Sequence, residues 1–258
     1  IGSGGVMRMG KLSGIRVVDL SLFLPGPMLT LMMADQGAQV TKVEPPTGDP
    51  ARTMEPMEGG ESVWFNNLNR GKDCRRLDLK TDEGQAALWL LIDDADVLVE
   101  GFRPGVMARL GFDYSAVAAR NPGIVYCSVS AFGQTGAMAL HPAHDLAVQA
   151  HAGFLSVNDG RDGIPVVPGV PSADMAAGLT GLAAVLMALI GRQATGKGDY
   201  LDIAMFDSLL PWCAHIAGGA IASGPTPVSQ TQRSLGGAGF YQVYRTADDL
   251  HVVLGGRE

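Results

Sequence analysis

Short β-branched runs alternate with longer segments of helical character through the first half of the chain. Residues 15–20 (IRVVDL), 39–43 (QVTKV), 96–100 (DVLVE) and 124–130 (IVYCSVS) are largely continuous in apolar residues. That is the pattern of strands buried on both faces, as in a parallel sheet. Residues 27–36 and 83–93 lie between them and read as helices. The alternation predicts an α/β architecture, a parallel sheet with covering helices. Residues 175–190 form an unbroken apolar run that is short for a membrane span and carries Gly178 and Gly181, so a buried core helix is expected. Beyond the QATGKGD turn, residues 200–210 continue the domain as a strand or a helix.

The pattern breaks at residues 218–239 (GGAIASGPTPVSQTQRSLGGAG), whose Gly, Ser, Thr and Pro content marks a linker or an active-site loop. After it, FYQVYRTADDLHVVL places aromatic and β-branched residues on both sides of the polar turn at residues 246–249, which predicts a hairpin. A hairpin that opens a module with nothing after it makes a poor independent domain. The expected organisation is a vector-like remnant and N-terminal extension over residues 1–9 and a large α/β domain over 10–217. A linker over 218–239 follows, then the start of a small domain over 240–258 in a chain that stops short.

Composition narrows the setting. With 47% hydrophobic residues, 35 glycines and 15 prolines the chain is globular and rich in tight turns. A net charge of −7 argues against nucleic acid or an anionic membrane as the main partner. Cys74, Cys127 and Cys213 are odd in number and far apart, which fits neither a disulfide framework nor a metal site and suggests a cytoplasmic setting. No signal peptide, Walker loop, HExxH, zinc-spaced Cys/His set or GxSxG elbow is visible.

Candidate chemistry is concentrated in a few places. Arg70, Lys72, Arg75, Arg76 and Lys80 form a basic cluster in an acidic protein, which reads either as a phosphate site or as a solvated face. Arg103 follows the third strand, on the side of the sheet where α/β proteins bind ligands. Pro25-Gly26-Pro27 could bring backbone close to a ligand or serve only as a strand-to-helix turn. His144 and Asp145 are adjacent, and Asp174 lies thirty residues beyond His144. Three proton-handling groups around a Gly- and Ala-rich stretch suggest carbon-acid or acyl chemistry. Asp174 directly precedes the apolar run and reads as a helix N-cap, where the helix dipole favours its ionised form. The remaining histidines, His141, His151, His215 and His251, read as structural or surface residues. Met28, Met32, Met33, Met175 and Met187 fit core packing better than an acyl-chain surface.

The segments LSGIRVVDLSLFLPGP, GAQVTKVEPPTGDP, NRGKDCRRLDLK, DVLVEGFRPGVMARLGFDY, NPGIVYCSVSAFGQTG and GRQATGKGDYLDIAMFDS resemble the family III CoA-transferases, which include formyl-CoA transferase and α-methylacyl-CoA racemase. The resemblance implies a Rossmann-like, CoA-binding large domain, a small domain on long linkers, and an interlocked homodimer. It implies an acyl-CoA substrate lying between the domains, with no cofactor beyond its CoA moiety and no metal. The nucleotide phosphates would be met by Lys72, Arg75, Arg76 and Arg103.

Two chemistries occur within that family. In its transferases an Asp matching Asp145 attacks the thioester and carries CoA to a second acid. In its racemases a His and an Asp matching His144 and Asp174 exchange the α-proton, with a Glu matching Glu258 supporting the His. The residue before the Asp is typically Tyr or Phe in the transferases and His in the racemases, so His144 tips the expectation towards epimerisation of a 2-methyl-branched acyl-CoA. Transfer through Asp145 is the alternative. A third possibility is a fragment that only binds CoA or dimerises.

Overall fold

A computed structural model describes residues 10–160, 162–224 and 226–256. Glu258 lies outside them. The chain divides into two compact units, one of Ile1–Pro142 with Asp174–Met205 and the other of Ala143–Ala173 with Phe206–Glu258.

The first unit is built on six parallel strands: β1 (Arg16–Leu20), β2 (Gln39–Glu44), β5 (Asp73–Arg76), β6 (Val97–Glu100), β7 (Val125–Ser130) and β8 (Asp199–Ala204). Their spatial order is β5-β2-β1-β6-β7-β8. The two directions of winding diverge between β1 and β6, the switch point at which α/β sheets form a crevice. The four strands legible in the sequence are present, each within a residue or so of its expected bounds. Val17, Val97, Leu98, Val99 and Val125 are buried to 3% exposure or less, as strands covered on both faces require.

Strand β5 was not legible. Its sequence, DCRR, is exposed throughout, because it is the sheet edge, where charged residues discourage further pairing. Between β2 and β5 a short hairpin, β3 (Met57–Glu58) with β4 (Glu61–Ser62), leads into α2 (Val63–Asn69). The Ser62 hydroxyl accepts from the Phe65 N–H at 3.2 Å and caps that helix.

Crossover helices are α1 (Pro25–Asp35) and α3 (Asp82–Asp93), the latter capped by Thr81 and carrying Asp82 and Glu83 in its first turn, where the dipole favours acids. The short helices α4 (Val106–Leu110) and α5 (Tyr114–Arg120) precede β7, and Leu88, Ile92, Phe112 and Val117 fill the core on this side. Gly26 is needed for packing: a Cβ there would lie 2.2 Å from the Ser21 hydroxyl oxygen, so the Pro-Gly-Pro turn is explained without a ligand. Gly198 is more constrained still, since a Cβ would stand 1.8 Å from the Ile124 carbonyl oxygen. Its N–H donates to the Pro122 carbonyl at 2.9 Å, drawing the approach to β8 against that of β7. Gly198→Ala is expected to cost roughly 1–3 kcal/mol through forced backbone movement, read as a lower urea midpoint.

The long helix α7 (Ser172–Thr195) begins earlier than the apolar run suggested. Asp174 is therefore inside the first turn and is not the N-cap. Nor is α7 a fully buried core helix. Ala176, Ala177 and Val185 are buried, whereas Leu179, Met187 and Ile190 on another face are exposed. Among the described residues it is the one helix long and apolar enough to cross a membrane by length and composition, and 39% of its apolar window is buried. Gly178 and Gly181 let α1 approach closely, a Cβ on either meeting Met28 or Leu29 within 3 Å.

The second unit holds α6 (Asp145–His151), most of α8 (Met205–Leu209), α9 (Ala214–Ser223) and the hairpin β9 (Tyr241–Arg245) with β10 (His251–Gly255). The hairpin is antiparallel as expected, with Thr246 N–H donating to the Leu250 carbonyl at 2.9 Å. The units differ from the expected boundaries in three stretches, one of them residues 206–217, which group with the second unit. Residues 143–173 do not group with the large sheet, because the chain leaves it after β7 and returns only through α7 to β8. Residues 218–223 are not linker but the end of α9, whose Ala and Ile content sustains a helix despite its two glycines.

Candidate active site

The basic cluster separates into buried and exposed members. Lys72, read as a phosphate contact, has a fully buried side chain. Its ammonium donates to Asp19 Oδ2 at 3.1 Å, the Pro27 carbonyl at 2.9 Å and Asn69 Oδ1 at 2.9 Å. With three donors engaged it is a structural cation, because a buried charge must be paired. Asp19 also accepts from the hydroxyls of Ser21 at 2.5 Å and Thr30 at 2.6 Å. Burial would raise the Asp19 carboxyl, but Lys72, Lys42 and the two hydroxyls outweigh it and hold it at about 2. Lys42, also fully buried, forms an ion pair with Asp49 at 2.9 Å and donates to the Ser21 carbonyl at 2.7 Å. Arg75 and Arg76 remain exposed on β5, and Arg75 pairs with Asp73 at 2.9 Å.

Arg103 is exposed and lines a cavity of about 90 Å³ beyond the carboxyl ends of β6 and β7, shared with Glu100, Tyr114, Tyr126, Gln134 and Tyr200. The rings of Tyr114 and Tyr200 stack with centroids 5.0 Å apart. Glu100 is buried and accepts from the Phe102 N–H at 2.8 Å. Burial pushes its carboxyl up to about 7, further raised by Asp202 and partly opposed by hydrogen bonds from Ser128 and Phe102. The unfolded chain loses this proton near the ordinary value of 4.5 and the folded chain near 7. The contribution of Glu100 to stability is therefore fully present below pH 4.5 and is lost as pH rises through 7. Glu100→Gln removes that decline and is expected to raise stability at pH 8 by up to roughly 3 kcal/mol, with little effect at pH 4, in paired urea titrations.

His144 and Asp145 lie in the second unit. His144 occupies the N-cap of α6 with extended backbone and an exposed side chain that makes no capping hydrogen bond. Asp145, the first helical residue, is half-buried. Its Oδ1 accepts from the Ala173 N–H at 2.8 Å, and its Oδ2 accepts from Gln149 Nε2 at 2.5 Å. The donors come from the start of α7 and from one turn further along α6. The Gln149 side chain is 1% exposed, and its buried Oε1 has no hydrogen-bond partner. The structure thus brings Asp145, Gln149 and Ala173 together. Asp174, half-buried in the first turn of α7, belongs to the first unit.

Gln149 was missed from sequence. The only signal was its spacing of four from Asp145, which places the two on one helix face but is shared by countless pairs that do nothing. A carboxylate fixed by two donors in this way is oriented, and can serve as a nucleophile towards a carbonyl or as a base.

The sequence profile of CoA-transferase family III matches residues 12–258. Acetyl-CoA:oxalate CoA-transferase of Acetobacter aceti is 40% identical over 252 residues, covering 96% of this chain and 64% of that protein. Succinate–glutarate CoA-transferase of Agrobacterium fabrum is 36% identical, covering 97% of this chain and 64% of that protein. This chain thus spans less than two thirds of the length of these relatives. Among solved structures, a CAIB/BAIF family protein from Brucella suis superposes with a TM-score of 0.88 at 34% identity, covering 95% of this chain and 66% of that one.

Proposed function

Because this chain belongs to CoA-transferase family III, we propose that it moves CoA between carboxylic acids by covalent catalysis at Asp145. The observation that carries the reading is the Asp145 carboxylate, held by a donor on each oxygen at a helix start. One oxygen attacks the thioester carbonyl carbon, CoA leaves as thiolate, and a mixed anhydride joins Asp145 to the acyl group. The thiolate then attacks the Asp145 carbonyl carbon and expels the first acid, leaving an aspartyl-CoA thioester. The second acid attacks that carbonyl carbon, and the released thiolate collects the new acyl group, restoring the carboxylate. Each difficult exchange is divided into easier steps.

The names of the relatives support a substrate class. Their names specify oxalate, succinate and glutarate as partners of CoA transfer, so small dicarboxylates are the proposed acceptors and short acyl-CoA thioesters the donors, with no cofactor beyond CoA. Arg103, Arg75 and Arg76 are the exposed cations proposed to meet the CoA phosphates. A homodimer is the proposed working form. The epimerisation that His144 suggested is not supported by these relatives, which are named as CoA-transferases. A residue type at one position is a weaker guide to chemistry than similarity along the whole chain.

The test is a panel of acetyl-CoA and succinyl-CoA with oxalate, succinate and glutarate, alongside a chiral 2-methylacyl-CoA in deuterated water. Formation of the new thioester without α-deuterium uptake is expected. Deuterium exchange with no CoA transfer would replace this reading by racemisation.

A further inference from the structure

Resting on the transferase reading, we propose that Gln149 is a catalytic donor, its side-chain amide orienting the Asp145 carboxylate and then stabilising the oxyanion that forms on the same oxygen. The geometry is specific. Gln149 lies one turn beyond Asp145 on α6, its Nε2 is 2.5 Å from Asp145 Oδ2, and its side chain is almost wholly buried. The amide is confined by its surroundings, and a buried polar group that keeps one atom unpartnered costs stability that a purely structural role does not recover.

Chemistry supplies the return. In the steps where thiolate or the second acid attacks the Asp145 carbonyl carbon, the electron pair of the C=O bond moves onto its oxygen, and a tetrahedral oxyanion results. Collapse re-forms the C=O bond and expels either the first acid or the CoA thiolate. If Oδ1 forms the bond to the acyl carbon, Oδ2 is retained and carries the negative charge in both steps. The Gln149 N–H already points at that atom, so no donor has to be recruited as charge develops. The Ala173 N–H holds the other oxygen, Oδ1, at 2.8 Å.

The test is steady-state kinetics of Gln149→Met in the full chain, with Gln149→Glu as a second variant close to the wild-type side chain in size. Methionine keeps length and burial but has no donor. The expected result for Gln149→Met is a kcat lower by about 10²–10³-fold, as for loss of one oxyanion donor, with KM for acyl-CoA changed less than about threefold. Gln149→Glu should lose at least as much, because it replaces a donor by an acceptor facing Asp145. Retention of kcat within threefold by either variant overturns the proposal. So does a parallel deterioration of kcat, KM and melting temperature in both, which marks a structural role. Hydroxylamine trapping of wild-type Asp145 during turnover separates this from the underlying reading. If no adduct forms, the covalent mechanism itself is wrong. If the adduct forms and Gln149→Met turns over normally, only the role of Gln149 falls.

Discussion

Asp145→Asn is expected to fold normally and to lose CoA transfer by about 10⁴-fold or more, the scale seen when a nucleophile is removed from a covalent mechanism. Asparagine preserves the shape of the carboxylate, and its carbonyl oxygen can still accept from the Ala173 N–H. Its amide would meet the Gln149 amide donor to donor, but rotation of the Gln149 side chain presents Oε1, which has no other hydrogen-bond partner. The hydrogen bond is thereby restored with reversed polarity. Stability should stay within about 1 kcal/mol of wild type, since one neutral hydrogen bond replaces a charge-assisted one. Initial rates with acetyl-CoA and oxalate, paired with urea melts, separate the two effects. Unchanged transfer in Asp145→Asn would remove Asp145 from the chemistry.

The second large effect concerns stability. Asp19→Ala is expected to cost about 3–5 kcal/mol, because it strands a buried lysine. Lys72 would lose its carboxylate partner while keeping the Pro27 and Asn69 contacts, and the hydroxyls of Ser21 and Thr30 would lose a common acceptor. The same carboxylate contributes to the acid sensitivity of the fold. Its folded value of about 2 lies below the ordinary 3.8, so its contribution is complete above pH 3.8 and is lost as pH falls through 2. That contribution is roughly 2 kcal/mol. Urea midpoints for wild type and Asp19→Ala should therefore converge as pH drops from 4 towards 2. A gap that stays constant over that range would show that Asp19 acts by packing and not through its charge.

How much of this was legible follows from what each residue can reveal alone. Strands buried on both faces announce themselves by continuous apolar runs, which is why β1, β2, β6 and β7 could be read. An edge strand such as β5 has no such run, and its arginines drew attention as a charge cluster instead. Within that cluster, the burial of Lys72 depends on Asp19, fifty-three residues away, a pairing that only the folded sheet creates. Asp145 could be proposed from the surrounding family segments, whereas the contact of Gln149 with it is visible only when the amide is seen on the carboxylate. His144 was overweighted because a histidine beside an aspartate suggests proton transfer, whereas the relatives across the whole chain are named for CoA transfer.

Covalent attachment at Asp145 is the central claim. The direct measurement is mass analysis of the peptide bearing Asp145 after incubation with succinyl-CoA and quenching in hydroxylamine. The account predicts a hydroxamate at Asp145, formed only when acyl-CoA is present and absent from Asp145→Asn. An unmodified Asp145 in protein that is actively transferring CoA would contradict it.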